Sequence, residues 1–350
     1  MIKSIWRKIK SLFRSKKHDQ SRQKSVLPQP SEERVDAQTV NQLRKQFWAI
    51  GGGKGGVGKS LITLMLGATL TRWGKKVIIV DADLGGSNIN LLVGIKNPAH
   101  TLEDFIHRRT EKIEDVALDT PFENLKVICG AGDILGMANP KGTQIARLFN
   151  NLAKLEADII LLDLGAGTSY ATLDFFLFAS RKLIVLSPQT TSIQNAYGFL
   201  KSCLYRKLTQ EFKNDPQCLE LIKKGISPND NSISNIEDLI SAFDELGEGK
   251  QMELKSHIDE MNVGLIVNMV REGKDVHLGR SLIDVANKYL SINTEYMGFI
   301  EYSAILDKSV NRMASFLSDG SDIMTKIGFY DLANKVIRKI YKESRGFTKV

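Results

Sequence analysis

No uncharged apolar run in this chain approaches the roughly 18 residues that a membrane-crossing helix needs, so no transmembrane segment is expected. Cysteine is scarce: Cys129, Cys203 and Cys218 are the three, and none forms a CxxC pair. That argues against a disulfide framework and against a cysteine-ligated metal, and it fits a reducing compartment. No internal repeat is evident, which excludes solenoid and propeller architectures. Acidic residues are missing from positions 1–17, and a net charge is missing from the body. Residues 1–45 hold twelve Lys/Arg against four Asp/Glu, which is the whole formal charge of +8; the remainder carries 36 of each sign. An acidic partner implied by that charge therefore meets the tail.

Across 350 residues the composition is that of an ordinary globular protein, with 42% hydrophobic and 25% charged residues. The length suits one large α/β domain or two smaller ones. Residues 1–17, MIKSIWRKIKSLFRSKK, place Ile2, Ile5, Trp6, Ile9, Leu12 and Phe13 at spacings of three and four. On a helix these fall within an arc of about 120°, with Lys3, Arg7, Lys8, Lys10 and Arg14 outside it. The apolar residues are interleaved with Lys and Arg rather than grouped as in a cleavable leader. A polar stretch over 18–45, with Pro28 and Pro30, reads as a flexible linker.

From residue 46 short aliphatic strands alternate with helices. Phe47–Ile50, Val77–Val80, Leu125–Cys129, Asp158–Leu162, Lys182–Leu186, Val263–Val267 and Thr294–Gly298 are the expected strands, and Lys59–Trp73 reads as an amphipathic helix closed by Gly74. Continuous aliphatic strands between helices indicate a doubly wound α/β fold: a mainly parallel sheet with helices on both faces. Residues 204–260 break the rhythm. They are polar and helix-prone, with a Ser/Asn/Asp-rich loop at Ser227–Asn235, and read as a helical insertion within a domain spanning 46–345.

The strongest chemical signal is Gly53-Lys54-Gly55-Gly56-Val57-Gly58-Lys59-Ser60, between a strand and a helix. In that context glycines let the backbone fold around phosphates with N–H groups turned inward, and the helix N-terminus adds its positive dipole end. Lys59 is placed for the β- and γ-phosphates, and the Ser60 hydroxyl for Mg²⁺. ATP and Mg²⁺ are the cofactors this implies. Ile159–Leu162 is an aliphatic run delivering Asp163 to the same metal, followed by Gly165-Ala166-Gly167.

With its second lysine, Lys54, the loop resembles the deviant Walker A signature of the MinD/ParA ATPases. Val80-Asp81-Ala82-Asp83-Leu84-Gly85-Gly86-Ser87-Asn88 resembles that family's second motif, although Asn90 stands where members often carry Asp. The resemblance covers roughly 46–200 and 262–318 and extends to Ser187–Ser192 and Ile266-Val267-Asn268-Met269-Val270. Within the family the chain looks most like the FlhG-type regulators of flagellar number, on Asp81–Asn88, Leu162–Gly167 and Tyr296–Ile300. Their activating motif before the loop is matched only faintly by Asn41-Gln42-Leu43-Arg44.

This resemblance implies a MinD-like P-loop NTPase fold and a slow, partner-stimulated ATPase. By position, Lys54 would serve the phosphates of a partner subunit in an ATP-dependent homodimer. Asp81 would lie near the Mg²⁺ shell, Asp83 would orient the attacking water, and Asn268 would contact the adenine. The reading is a molecular switch that positions or regulates a cellular assembly, such as a flagellum or division site. Residues 1–17 would attach it to an anionic membrane surface, giving a cytoplasmic protein at the inner face of the cell membrane that also meets a protein partner. The rival from the same chemistry is a ParA-like partition ATPase on DNA, which the neutral body disfavours. An Mrp-like iron–sulfur carrier would need the missing CxxC.

Overall fold

The computed structural model describes residues 47–83, 86, 89–130, 142–227, 232–304, 330 and 333–339. The proposed amphipathic helix at 1–17, the linker at 18–45, Leu84, Gly85, Ser87 and Asn88 of the second motif, and residues 228–231 of the Ser/Asn/Asp-rich loop lie outside these residues.

Among the described residues eight strands form one sheet: β1 (Phe47–Gly51), β2 (Val77–Ala82), β3 (Ala117–Asp119), β4 (Leu125–Ile128), β5 (Ile159–Leu164), β6 (Arg181–Leu186), β7 (Asn262–Val270) and β8 (Asn293–Glu301). Their spatial order is β3-β4-β2-β5-β1-β6-β7-β8. All neighbours are parallel except β3, which runs antiparallel to β4 at the edge. The edge strand went unseen in the sequence because three residues carry no periodicity.

The helices are α1 (Lys59–Arg72), α2 (Ile89–Leu92), α3 (Leu102–Ile106), α4 (Gly142–Leu152), α5 (Tyr170–Phe178), α6 (Thr190–Glu211), α7 (Pro216–Ile226), α8 (Ile236–Glu245), α9 (Glu248–Asp259) and α10 (Gly273–Leu290). A short helical stretch over 333–339 ends the described chain.

Each central strand is apolar throughout because the sheet divides two cores. Phe47, Ala49, Ile78, Val80, Ile160, Leu162, Ile184 and Leu186 face one of them, with residues of α3–α10. Trp48, Ile50, Val77, Ile79, Ile159, Leu161, Leu183 and Val185 face the other, where α1, Ala333, Val336 and Ile337 lie. That second layer corrects the amphipathic reading of α1. Ten of its fourteen residues are buried, because the C-terminal segment packs into the core on its outer side. Trp73 donates its indole N–H to Asn334 Oδ1 (2.9 Å), and the Arg72 guanidinium lies 3.9 Å from the centre of the Tyr330 ring.

The insertion has no core of its own. Helix α6 runs unbroken through residue 204, and α7–α9 pack Ile222, Leu239, Phe243, Leu254 and Ile258 into the first core. Asp215 and Asn235 cap α7 and α8 by accepting from Cys218 N and Asp238 N, so these helices carry conventional start signals.

Candidate nucleotide site

Parallel strands end their C-termini on one edge of the sheet, and the loops there converge. The glycine-rich segment leaves β1 at that edge and enters α1 at Lys59. Gly56 (φ +74°) and Gly58 (φ +90°) take left-handed backbone angles that side-chain-bearing residues rarely adopt. Gly53 is required for a different reason. A Cβ there would lie 1.9 Å from the Asn195 carbonyl oxygen on α6, so the loop is seated directly on that helix.

Lys59, the first residue of α1, is 8% exposed. Its burial lowers the ammonium pKa, and the charges of Asp163 and Asp83 work against that shift. Asp163 ends the aliphatic run of β5, directly opposite Asp81 of β2. Strand pleating puts residues 77, 79 and 81 and residues 159, 161 and 163 on the face that carries α1, so both carboxylates turn toward the loop.

The Asp163 carboxyl is pushed up to about 7 by burial and then by Asp81. Hydrogen bonds from Ser60 and Thr63 and the charge of Lys59 oppose the rise. Thr63 Oγ1 lies 3.1 Å from Asp163 Oδ1 and 3.0 Å from the Lys59 carbonyl oxygen, so its single hydrogen serves one acceptor at a time. Asp81 is fully buried and accepts from Asp83 N (3.2 Å) and Ile89 N (3.1 Å). Asp83 stands just past the strand end against the opposite turn, where a Cβ on Gly165 would meet its Oδ1 at 2.6 Å.

The site thus brings the Asp81, Asp83 and Asp163 carboxylates and the Ser60 and Thr63 hydroxyls together near one lysine. A crowded carboxylate whose pKa climbs in the absence of a cation is what a hard divalent ion relieves, and the donors are all oxygens, as Mg²⁺ prefers. Ser60 and Asp163 fit as direct holders, with Asp81 behind them. Among the described residues no cluster of three or more His, Cys, Asp or Glu forms a metal cage, so a bound Mg²⁺ would complete its shell from water and ligand oxygens.

Two residues named in the sequence take up positions that only the fold could supply. Lys54 Nζ donates to Gln189 Oε1 (2.7 Å) and Thr191 Oγ1 (3.2 Å) at the start of α6. Asn268 is 5% exposed and donates from Nδ2 to the Val57 carbonyl (2.8 Å), so it braces the loop. A bulge aims it there: the β7–β8 register slips between Val267 and Val270, and Met269 takes φ +63°. Beyond it, Val270, Arg271, Glu272, Gly273, Phe299 and Tyr302 are among the residues lining an open groove of about 430 Å³.

Sequence reasoning missed Thr63, and it quoted Gly165 and the stretch holding Gln189 and Thr191 without their contacts to Asp83 and Lys54. Thr63 was findable, since it lies one helical turn after Lys59 on the same face. The others are contacts across the sheet edge and leave no local signal.

Residues 48–316 match the family model described as the CobQ/CobB/MinD/ParA nucleotide binding domain. Antiactivator FleN of Pseudomonas aeruginosa is 33% identical over 158 residues, 45% of this chain and 55% of that protein. Flagellum site-determining protein YlxH of Helicobacter pylori is 30% identical over 172 residues, 46% of this chain and 54% of that protein. The chain spans about half the length of these curated relatives. The septum site-determining protein MinD of Pyrococcus horikoshii OT3, solved with Mg-ADP, superposes with a TM-score of 0.54 at 20% identity. The match covers 83% of this chain and 95% of that one, and it shows a shared fold.

Proposed function

Because the chain belongs to the CobQ/CobB/MinD/ParA nucleotide-binding family, we propose that it is an ATP-binding and ATP-hydrolysing switch whose active form is a homodimer. The observation that carries this reading is the convergence of Lys59, Ser60, Thr63, Asp81 and Asp163 beneath the glycine loop. Backbone N–H groups of 53–60 and the Lys59 ammonium hold the phosphates. Ser60 and Asp163 would hold Mg²⁺, which would supply neutralisation of the phosphate charge. Asp83, beside Gly165 at the mouth of the site, is the residue we assign to orienting the attacking water. Asn268 and the groove next to it are assigned to the purine; this rests on position alone, since the amide already braces Val57.

Lys54, half-buried beside the exposed Gly55 and Gly56, adds its charge to the phosphates of a second copy, so that hydrolysis waits for dimerisation. The matches to FleN and to YlxH favour a role in siting or numbering an assembly such as a flagellum. Membrane attachment is assigned to residues 1–17, whose seven basic and six apolar side chains suit an anionic surface.

Calorimetry with Mg-ATP tests the core of the reading: wild type binds and Lys59→Ala does not. Asp83→Ala is expected to bind ATP and accumulate as a dimer by light scattering with little phosphate release. Hydrolysis by Asp83→Ala at the wild-type rate would remove the assignment of the water-orienting residue.

A further inference from the structure

We propose that Gln189 and Thr191 are positioning residues for Lys54, holding its ammonium within its own subunit so that release of this contact sets the threshold for dimer assembly. The inference rests on the reading above, in which Lys54 acts across the dimer.

The lysine backbone has nowhere to go. Gly53 is pressed on the Asn195 carbonyl and Gly52 on that of Val185, where a Cβ would lie at 2.6 Å. The Cα of Lys54 is therefore fixed on the flank of α6, and only its side chain can swing. Its acceptors lie on the same helix. Gln189 and Thr191 open a 22-residue helix that Arg206 pins to α5 through a bidentate pair with Asp174 (2.9 and 2.8 Å), joined by Gln210 on the same carboxylate (2.9 Å).

The hold is directional but shallow. Both acceptors are neutral, and among the described residues no carboxylate pairs with Lys54. The Gln189 side chain makes no capping bond to α6, so the lysine is its partner at the helix N-terminus. That terminus carries the positive end of the helix dipole, which disfavours an ammonium beside it. A cation kept by two neutral hydrogen bonds against an unfavourable dipole will leave when a triphosphate of the opposite subunit offers several negative oxygens. Gly55 and Gly56 beside it are exposed, so the direction of departure is open.

The test measures the protein concentration at half-maximal dimer formation with Mg-ATP, by sedimentation in the Asp83→Ala background, and separately the ATPase rate against protein concentration with Asp83 intact. Gln189→Ala with Thr191→Val should lower the midpoint about tenfold, since two hydrogen bonds to a charged group no longer compete. Gln189→Glu should raise it by a similar factor, because a carboxylate replaces a neutral acceptor. The shift is expected in the midpoint more than in the rate at saturating protein. Opposite movements by the two variants support the hold; a packing role would weaken assembly in both. Midpoints within twofold of wild type, or both moving the same way, overturn the proposal. Lys54→Ala separates the premise from the inference: if it assembles and hydrolyses like wild type, action across the dimer fails first.

Discussion

Asp81 and Asp163 face each other across β2 and β5, paired in register at the C-terminal ends of two adjacent parallel strands. Two carboxylates at that spacing inside a core repel unless a cation or proton intervenes. Lys59 supplies one positive charge, yet burial first and the charge of Asp81 second push the Asp163 carboxyl up to about 7.

Ligand removal should show this directly. Mg-ATP or Mg-ADP at 100 times its dissociation constant is expected to stabilise the fold by about 2.7 kcal/mol. EDTA should abolish most of the gain, read as the melting midpoint with nucleotide held constant. Asp163→Asn should melt at or above the wild-type temperature without ligand, yet gain little from Mg²⁺. A ligand response in Asp163→Asn equal to wild type would contradict the assignment.

Three glycines of the loop should rank by what surrounds them. Gly53→Ala meets backbone at 1.9 Å and is expected to displace the loop and eliminate nucleotide binding. Gly58→Ala pays for φ +90° and also strikes Asn268 Nδ2 at 2.3 Å. Gly56→Ala has open space around it and costs only its left-handed angle, about 1–2 kcal/mol. Calorimetric affinity for Mg-ADP should therefore fall least for Gly56→Ala.

Asn268→Ala leaves the buried Val57 carbonyl without its donor, at a cost of about 1–3 kcal/mol. Asn268→Asp should be worse, since a carboxylate oxygen would then face a carbonyl oxygen. Both variants should weaken Mg-ADP binding. If the amide also reads the base, the preference for ATP over GTP should narrow in both; an unchanged preference would leave Asn268 as a brace alone.

Ending the chain at residue 329 removes Ala333, Val336 and Ile337 from the core over α1 and the partner of Trp73. The expected loss is about 3 kcal/mol, after the ordering entropy of that segment is set against its apolar burial. Tryptophan emission should shift to the red. A truncated chain with wild-type melting temperature and emission would show that the C-terminal seat contributes nothing.

Much of the sheet could be read directly from the chain because buried parallel strands are mostly apolar runs, rich in Val, Ile and Leu at 77–80, 125–128, 159–162, 183–186 and 263–267. The glycine loop was legible for the same reason: its residues are contiguous and each is dictated by backbone shape or by phosphate charge. Strand ends were misplaced by one to three residues, as at β7, where Asn262 and Asn268 are polar and Met269 sits in a bulge. Helix α6 passed for a boundary at 204 because its polar outer face continues into the insertion.

Local chemistry by itself determined the phosphate loop, the aliphatic strands and the carboxylates that close them, since each depends on residues next to one another. Only the tertiary structure decided which distant groups meet: Lys54 with Gln189 and Thr191, Asn268 with Val57, Gly53 with α6, and the C-terminal segment with α1. Those pairings span more than a hundred residues of sequence, and the strand order of the sheet, which no local pattern encodes, is what brings them together.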